Sequence, residues 1–133
     1  MTENVTTYYF FLGGDCILLE ANKFYINKEY TKAIDLYKQC IDNNEQTEQA
    51  YYNMGTCYIK IKEYNKAINA FKSVLRISDQ YSNAYYNLGF AYSMIDDYKK
   101  AYRYFNIAWS LNNEDTDCEK AIKLLESKLN IWR

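Results

Sequence analysis

Histidine is absent from the 133 residues of the chain. The side chain that most often acts as a general acid or base is therefore missing, and the sequence contains no glycine-rich phosphate loop, nucleophile motif or cluster of metal ligands. The four cysteines include no Cys-x2-Cys pair, the spacing typical of zinc sites. Acidic pairs at 96–97 and 114–115 lie at predicted turns, where we expect them to cap the next helix. We predict that the protein is not an enzyme and uses no metal and no cofactor.

An excess of one charge is also absent. Sixteen Lys and Arg residues face 17 Asp and Glu residues, for a net charge of -1, and the basic residues form no long run. Nucleic acids and anionic membrane surfaces attract proteins with basic patches, so we predict neither as a partner. No apolar run is long enough to cross a bilayer, and residues 1–5 lack the basic start of a secretory signal. We expect a cytoplasmic protein.

Large apolar side chains are abundant, and they recur with a fixed period. Hydrophobic residues make up 49% of the chain, which includes 16 tyrosines, enough for the core of one compact domain. The segment Ala-Tyr-Tyr-Asn-Met-Gly at 50–55 returns as Ala-Tyr-Tyr-Asn-Leu-Gly at 84–89, an offset of 34 positions. The same offset places Tyr64 on Tyr30 in a weaker first copy. This period is typical of stacked repeats, each of which buries an apolar face against its neighbours.

Within each copy the apolar residues follow helical spacing, and short polar breaks separate the copies. Connections this short require consecutive helices to pack as antiparallel neighbours. The pattern predicts helices over residues 15–27, 30–41, 48–61, 64–77, 83–95 and 98–111, with a further helix from residue 116. We divide the chain into a segment at 1–13, three repeats at 14–47, 48–81 and 82–115, and a capping helix at 116–133.

The last helix carries a capping-box sequence, Thr-Asp-Cys-Glu at 116–119. We expect the Thr116 hydroxyl and the Glu119 carboxylate each to accept a hydrogen bond from an unpaired backbone N–H at the helix start. Glu119 and Lys123 are spaced for an i,i+4 ion pair. A single apolar stripe, as a capping helix requires, comprises Cys118, Ala121, Ile122, Leu125, Leu129 and Trp132.

Small residues mark the close contacts between helices. We expect Gly55 and Gly89 where the two helices of a hairpin approach each other, opposite Ala67 and Ala101. In register, alanine or valine stands at the position of every cysteine in another copy. We therefore expect small buried hydrophobes with reduced thiols. These are Cys16, Cys40, Cys57 and Cys118.

The segment before the repeats contains an aromatic run, Tyr-Tyr-Phe-Phe-Leu at 8–12, followed by two glycines that favour a bend. Two interpretations remain open. The run covers the exposed apolar side of the first repeat, as the end of a solenoid requires, or it docks in a groove of this chain or of a second copy and so blocks or mimics a ligand.

The repeated residues resemble those of the tetratricopeptide repeat (TPR) family. The resemblance rests on Tyr51-x2-Met54-Gly55-x2-Tyr58 followed by Ala67-x3-Phe71, and on the copy Tyr85-x2-Leu88-Gly89-x2-Tyr92 followed by Ala101-x3-Phe105. The first copy departs from the pattern, with Ile17, Glu20 and Ala21 at three of these positions. The resemblance covers residues 14–115 and implies an all-α fold, a right-handed superhelical solenoid of three antiparallel helix hairpins with a C-terminal capping helix.

In the TPR family the first helices of successive hairpins line a concave groove that commonly holds a peptide or a helix of a partner protein. The resemblance implies a groove lined by Leu18, Leu19, Asn22, Tyr25, Ile26, Gln49, Tyr52, Asn53, Thr56, Ile59, Lys60, Asn83, Tyr86, Asn87, Phe90 and Met94. Amides and tyrosine hydroxyls can hydrogen-bond a peptide backbone, and aromatic rings offer surface for apolar anchors. The alternative is that the asparagines are solvated polar positions, an interpretation that is weaker for Asn22, Asn53 and Asn87 taken together.

Members of the family that bind the C-terminal tails of Hsp70 and Hsp90 use a clamp of lysine, asparagine, asparagine, lysine and arginine. Asn22 and Asn53 match the two asparagines of this clamp. The cationic positions, however, are occupied by Leu18, Asn83 and Asn87. The charge that would hold two carboxylates is therefore absent, and we predict that chaperone tails are not the partner.

The resemblance implies a protein interaction module, an adaptor or scaffold that binds a peptide or helical segment of a protein whose identity the sequence does not give. One alternative is a structural block that self-associates through the N-terminal aromatic run or the exposed end of the last helix. The other is a chaperone or sensor for small peptides or secreted effectors, a role found among bacterial relatives. Concentration-dependent size would favour self-association, and co-purification with one neighbour-encoded protein would favour a binding role.

Overall fold

A computed structural model describes the backbone of residues 14–130 and the side chains of residues 17–130. This range contains seven α-helices and no β-strand. They are α1 (Gly14–Ile26), α2 (Tyr30–Asp42), α3 (Thr47–Lys60), α4 (Tyr64–Ile77), α5 (Ser82–Met94), α6 (Tyr98–Leu111) and α7 (Thr116–Lys128). The aromatic run at 8–12 and Trp132 lie outside the described residues. Within the described range, no helix is both long and apolar enough to cross a membrane.

Each helix packs against the next one in the chain, and α1, α3 and α5 also contact one another in succession. The fold is an all-α solenoid in which three antiparallel hairpins are followed by a seventh helix, as the sequence predicted. Every limit of the six hairpin helices lies within one residue of its predicted position. The agreement is close because the repeat supplies each boundary signal more than once.

Two glycines admit a phenylalanine ring between the helices of their hairpins. A Cβ atom added to Gly55 would lie 2.7 Å from Cζ of Phe71, and one added to Gly89 would lie 2.8 Å from Cδ1 of Phe105. The nearest atoms at both positions thus belong to aromatic rings, not to the alanines that the sequence placed opposite. Because carbon atoms cannot approach so closely, any side chain at these positions displaces a core ring.

The turn inside each hairpin uses a residue in the left-handed conformation. In the first turn, the N–H groups of Lys28 and Glu29 donate to the carbonyls of Tyr25 and Phe24 at 3.0 and 2.9 Å, which satisfies carbonyls at the helix end. A residue of this kind recurs every 34 positions along the chain. The four are Lys28 (φ 63°), Lys62 (φ 62°), Asp96 (φ 64°) and Asn130 (φ 53°). The fourth follows α7, which thus ends in the same way as the first helix of each hairpin.

The N-terminus of α7 is capped by Asp115, as expected for the acidic pair at 114–115, whereas the predicted capping box headed by Thr116 is wrong. A carboxylate oxygen of Asp115 accepts hydrogen bonds from the N–H groups of Asp117 at 3.0 Å and Cys118 at 3.1 Å. Thr116 is itself the first residue of the helix, one position after the N-cap, so its hydroxyl does not serve as the cap. Asp97 caps α6 in a similar way, by accepting from the N–H of Lys100 at 3.3 Å.

The apolar stripe of α7 packs on α6 only in part. Cys118, Ile122 and Leu125 are buried as predicted, and the predicted ion pair between Glu119 and Lys123 forms at 3.1 Å. That pair is exposed and contributes little to stability. Outside the predicted stripe, the side chain of Leu124 keeps 62% of its surface exposed.

Replacing Asp115 by alanine is expected to lower the free energy of unfolding by about 0.5–2 kcal/mol, because the two N–H groups at the start of α7 lose their acceptor. Replacing Thr116 by alanine is the matched control and is expected to change it by less than about 0.5 kcal/mol. Chemical denaturation followed by circular dichroism measures both values. A larger loss for Thr116→Ala than for Asp115→Ala would restore the original assignment.

Burial makes the described thiols unreactive. Cys40, Cys57 and Cys118 have no exposed surface, as the register predicted. Loss of solvation raises the pKa of Cys57 to about 12, and it raises the pKa values of Cys40 and Cys118 to about 11 with a smaller contribution from a nearby carboxylate in each case. The thiolate, which is the reactive form, is therefore scarce at neutral pH. The side chain of Cys16 lies outside the described residues.

We expect the native protein, in a Cys16→Ser background, to react with a thiol reagent at about pH 8 at least roughly 100-fold more slowly than the same protein unfolded in guanidinium chloride. The thiolate fraction falls by about this factor when a thiol pKa rises from about 8.5 to about 11. Absorbance of the released dye measures the rate. Equal rates in both states would mean that these thiols are open to solvent.

Candidate functional site

The residues that the sequence assigned to a groove lie on α1, α3 and α5. Among these helices, α1 contacts α3, and α3 contacts α5. Most of them are half-buried, as expected for side chains that line a surface rather than a core. The half-buried members are Leu18, Asn22, Tyr25, Tyr52, Asn53, Thr56, Ile59, Tyr86, Asn87 and Phe90. Lys60, Asn83 and Met94 are exposed at the helix ends.

Two of the three predicted asparagines bind each other. The Nδ2 group of Asn53 donates a hydrogen bond to Oδ1 of Asn22 at 2.9 Å. Oδ1 of Asn22 also accepts a hydrogen bond from the hydroxyl of Tyr37. Gln49 completes the group, because its Nε2 donates to Oδ1 of Asn53 at 3.0 Å. Three helices, α1, α2 and α3, are tied together by this network. It therefore fixes the angle between the first two hairpins in addition to any role toward a ligand.

The third asparagine connects the next pair of helices. Nδ2 of Asn87 on α5 donates to the hydroxyl of Tyr52 on α3 at 3.1 Å. The ring of Tyr52 lies between Phe71, with centroids 5.7 Å apart, and Tyr81, with centroids 5.0 Å apart. Tyr81 lies between the predicted helices 64–77 and 83–95, so helical spacing gives no indication of this contact. No buried side-chain nitrogen or oxygen of the described residues lacks a hydrogen-bond partner.

Hydrogen-bonding capacity remains on this surface after the internal network is satisfied. Nδ2 of Asn22 and Oδ1 of Asn87 have no partner among the described residues. Burial raises the pKa values of Tyr52 and Tyr86, and Asp117 and Asp115 raise that of Tyr86 further. Both phenols therefore stay protonated at neutral pH and can donate as well as accept. The surface therefore offers amide and phenol groups to a ligand. At the positions where the family's clamp for chaperone tails has cations, this chain has Leu18, Asn83 and Asn87.

An open apolar cleft of about 250 Å³ continues the surface beyond α5. Its walls come from α5, α6 and α7. The lining residues are Tyr86, Phe90, Ser93, Tyr98, Phe105, Ala121, Leu124, Leu125 and Lys128. At one end of the cleft, Nζ of Lys128 lies 4.6 Å from the centroid of the Tyr98 ring, a cation–π contact.

The part of the cleft that α7 supplies was not among the predicted groove positions. The signal was present in the period, since Leu124 stands one repeat period after Phe90 and Lys128 stands one period after Met94. Extending the groove positions by one more repeat would have placed both side chains on this surface. The sequence predicted α7 only as a helix that covers the core, and this prediction did not include the face that carries Leu124 and Lys128.

Two profiles of known protein families match the chain, and both matches lie within the repeated region. The profile of the TPR repeat matches residues 55–96. The profile described as subunit 3 of the anaphase-promoting complex, or cyclosome, matches residues 15–74. The two matched ranges overlap and together extend over residues 15–96. No curated protein is significantly similar to the chain in sequence.

Several solved structures share the fold. The C-terminal TPR-containing domain of a Plasmodium falciparum protein, described as a putative FK506-binding protein, is 28% identical with a TM-score of 0.78, and the match covers 88% of each chain. MamA from Desulfovibrio magneticus RS-1 is 18% identical with a TM-score of 0.82, over 90% of this chain and 67% of that one. The first TPR domain of Spaghetti (RPAP3), solved with an HSP90 peptide, is 17% identical with a TM-score of 0.84, over 88% and 93%.

The repeat period, the three antiparallel hairpins with a following helix, and the two matching profiles agree with one another. Together they show that the chain belongs to the tetratricopeptide repeat family.

Proposed function

We propose that the protein is an interaction module, an adaptor or scaffold rather than an enzyme, that binds a peptide or helical segment of a partner protein across α1, α3 and α5. The observation that carries the proposal is the row of half-buried aromatic side chains on neighbouring helices, Tyr25, Tyr52, Tyr86 and Phe90, which leads into the open cleft. Partly buried aromatic rings beside unused amide and hydroxyl groups are the surface that binds apolar anchors and peptide backbone.

The solved relatives support a peptide ligand, while the residues of this chain make the chaperone tail a poor candidate. The TPR domain of Spaghetti is bound to an HSP90 peptide in its solved structure. In this chain Leu18, Asn83 and Asn87 stand where the family's clamp has cations, and Asn22 and Asn53 are engaged with each other. An acidic chain terminus would thus meet few opposite charges here. We propose a ligand recognised by apolar side chains instead.

We also propose that the repeats are the units 14–47, 48–81 and 82–115, with 116–133 as the capping unit. Each unit then contains one complete hairpin, α1 with α2, α3 with α4, and α5 with α6. The partner segment would contact the first helix of every unit. This division predicts that ligand binding depends on all three hairpins.

The proposal is tested by capture of partners from the native cell extract with the full chain and with Thr56→Arg. Thr56 lies half-buried in the middle of the surface, so a long cation there obstructs a ligand while its stem follows the helix. The matched control is Ile77→Arg, because Ile77 is 49% exposed on α4 and outside the proposed groove. All three proteins are first compared by circular dichroism and thermal unfolding.

A protein retained by the wild type and by Ile77→Arg, and lost from Thr56→Arg, would support the groove and identify the partner. Titration of that partner is expected to show binding to Thr56→Arg at least about tenfold weaker. Equal retention by all three proteins would place the function on another surface and contradict the proposal.

A further inference from the structure

We infer that α7 is a self-complementary interface, through which two copies of the chain pair by antiparallel contact of their seventh helices. The inference concerns the cleft at the α7 end of the proposed groove, which shares Tyr86 and Phe90 with it, and adds the face of α7 that the described hairpins leave open. It commits to a second copy of this chain as the occupant of the cleft between α5 and α7.

One face of α7 carries a stripe that is a palindrome in chemical terms. Its residues follow one another at spacings of four, three and four, so they lie in a row along the helix. They are Asp117, Ala121, Leu124 and Lys128. When two such helices run antiparallel, Asp117 meets Lys128 of the second copy, and Ala121 meets Leu124 of the second copy. Each contact then occurs twice around a twofold axis, as an isologous interface requires.

The charges of the stripe favour this orientation. Asp117 lies in the first turn of α7 and Lys128 in its last turn, about 16 Å apart along the helix axis. A parallel pair would place each charge beside its like, whereas an antiparallel pair places opposite charges together. The helix dipoles act in the same sense, because the positive N-terminal end of each helix lies beside the negative C-terminal end of the other.

The apolar centre of the stripe provides the shape. Leu124 is 62% exposed, whereas Ala121 is small, and both lie on the wall of the cleft. A large side chain opposite a small one allows two helices to approach closely. Leu124 of the second copy would therefore enter the cleft over Ala121, beside Tyr86 and Phe90.

The structure argues for a helix as the occupant, since the cleft has few groups for an extended backbone. The Ser93 hydroxyl already donates to the carbonyl of Phe90 at 2.7 Å, and the Tyr98 hydroxyl donates to Asp96 at 2.9 Å. An extended segment would leave N–H and carbonyl groups without partners, while a helix satisfies its own. The segment at 1–13 offers no basic side chain to pair with Asp117, since Glu3 is its only charged side chain.

The test is sedimentation velocity on the full chain at low salt, about 25 mM NaCl, over about 10 µM to 1 mM. A single helix pair buries less than the roughly 1,200 Å² of a stable interface, so the dimer is a weak one that forms at high concentration. The wild type is expected to rise from a mass of 15.9 kDa toward about twice that value, and salt is expected to reverse part of the rise.

Leu124→Glu is expected to weaken dimerisation at least about tenfold. Ile77→Glu, which changes an exposed apolar residue on α4, serves as its control and is expected to leave dimerisation unchanged. Asp117→Lys and Lys128→Glu each bring like charges together and are expected to weaken it by about three- to tenfold at low salt. The double variant Asp117→Lys with Lys128→Glu restores opposite pairs and is expected to recover dimerisation.

Recovery in the double variant is specific to the antiparallel register, because general stickiness of an apolar patch would not respond to exchanged charges. A monomer at every wild-type concentration would overturn the inference, and so would self-association that survives Leu124→Glu. Association that the double variant fails to restore would overturn the register. None of these results depends on capture of a partner by the groove, so the two proposals can fail separately.

Discussion

Replacement of Gly89 by leucine is expected to lower the free energy of unfolding by about 1–3 kcal/mol. The new Cβ would lie 2.8 Å from three atoms of the Phe105 ring. That ring is 3% exposed and packs edge-on against Tyr86 with centroids 5.3 Å apart, so it can move only by displacing Tyr86 or by turning toward the cleft that it lines. Overpacking therefore outweighs the helix propensity that the chain gains when glycine is removed, about 0.8–1 kcal/mol.

Thermal unfolding measures this loss as a fall in melting temperature of roughly 5–10 °C, given the usual dependence for a chain of this length. Asn83→Leu is the matched control, since Asn83 is exposed on the same helix, and it is expected to change stability by less than about 0.5 kcal/mol. Phe105→Ala creates a cavity when made alone, but in the Gly89→Leu background it also removes the clash. The double variant is thus expected to be more stable than the sum of the single effects by more than about 1 kcal/mol. An unchanged melting temperature for Gly89→Leu would contradict the packing.

Replacement of Asn22 by alanine is expected to cost about 1–3 kcal/mol, although Asn22 is a surface polar residue by sequence. The hydroxyl of Tyr37 donates to Asn22, and the Tyr37 side chain has no exposed surface. Without Asn22, this buried hydroxyl loses the acceptor that it has in the structure and keeps only the Asn53 side chain as a polar neighbour. Asn53 would lose its bond across the helices as well. Urea denaturation measures the cost.

The explanation is tested by a second substitution that removes the buried donor. Tyr37→Phe alone breaks the same bond and is expected to cost about 1 kcal/mol. Combined with Asn22→Ala, it is expected to cost much less than the sum, because neither partner is then left unpaired. Additive costs would show that Asn22 and Tyr37 stabilise the fold independently. Lys60→Ala, at an exposed position at the end of α3, is the control for loss of a side chain outside this network.

The helices were predictable because their signals are repeated. Tyr64 and Tyr98 open their helices in the structure where the sequence placed them, and Ile77 and Leu111 close them. A single copy of such a signal is ambiguous, and the start of α7 illustrates this. Asp115 and Thr116 are adjacent and both are capable caps, so one residue of register decides between them, and the sequence alone does not fix it.

The candidate groove was only partly predictable, for a different reason. Helical spacing indicates which residues share a face, and Tyr52 and Tyr86 are half-buried on that face. It does not indicate which polar atoms meet across two helices. Asn22 and Asn53 are 31 residues apart in sequence and form one bond in space. Their role in the fold therefore depends on the packing angle of the hairpins, which no local pattern contains.

Asn130 bears on how the length of this solenoid could be changed by design. It stands one repeat period after Asp96 and in the same left-handed conformation, so α7 already carries the bend from which a second helix could be grown. The obstacle is chemical, because the face of α7 that such a helix would cover is charged. Where α5 presents Tyr85, Gly89 and Tyr92 to the rings of α6, α7 presents Glu119, Lys123 and Glu126. Exchange of these three side chains for tyrosine, glycine and tyrosine is therefore the first change that an added helix, packed here as α6 packs on α5, would require.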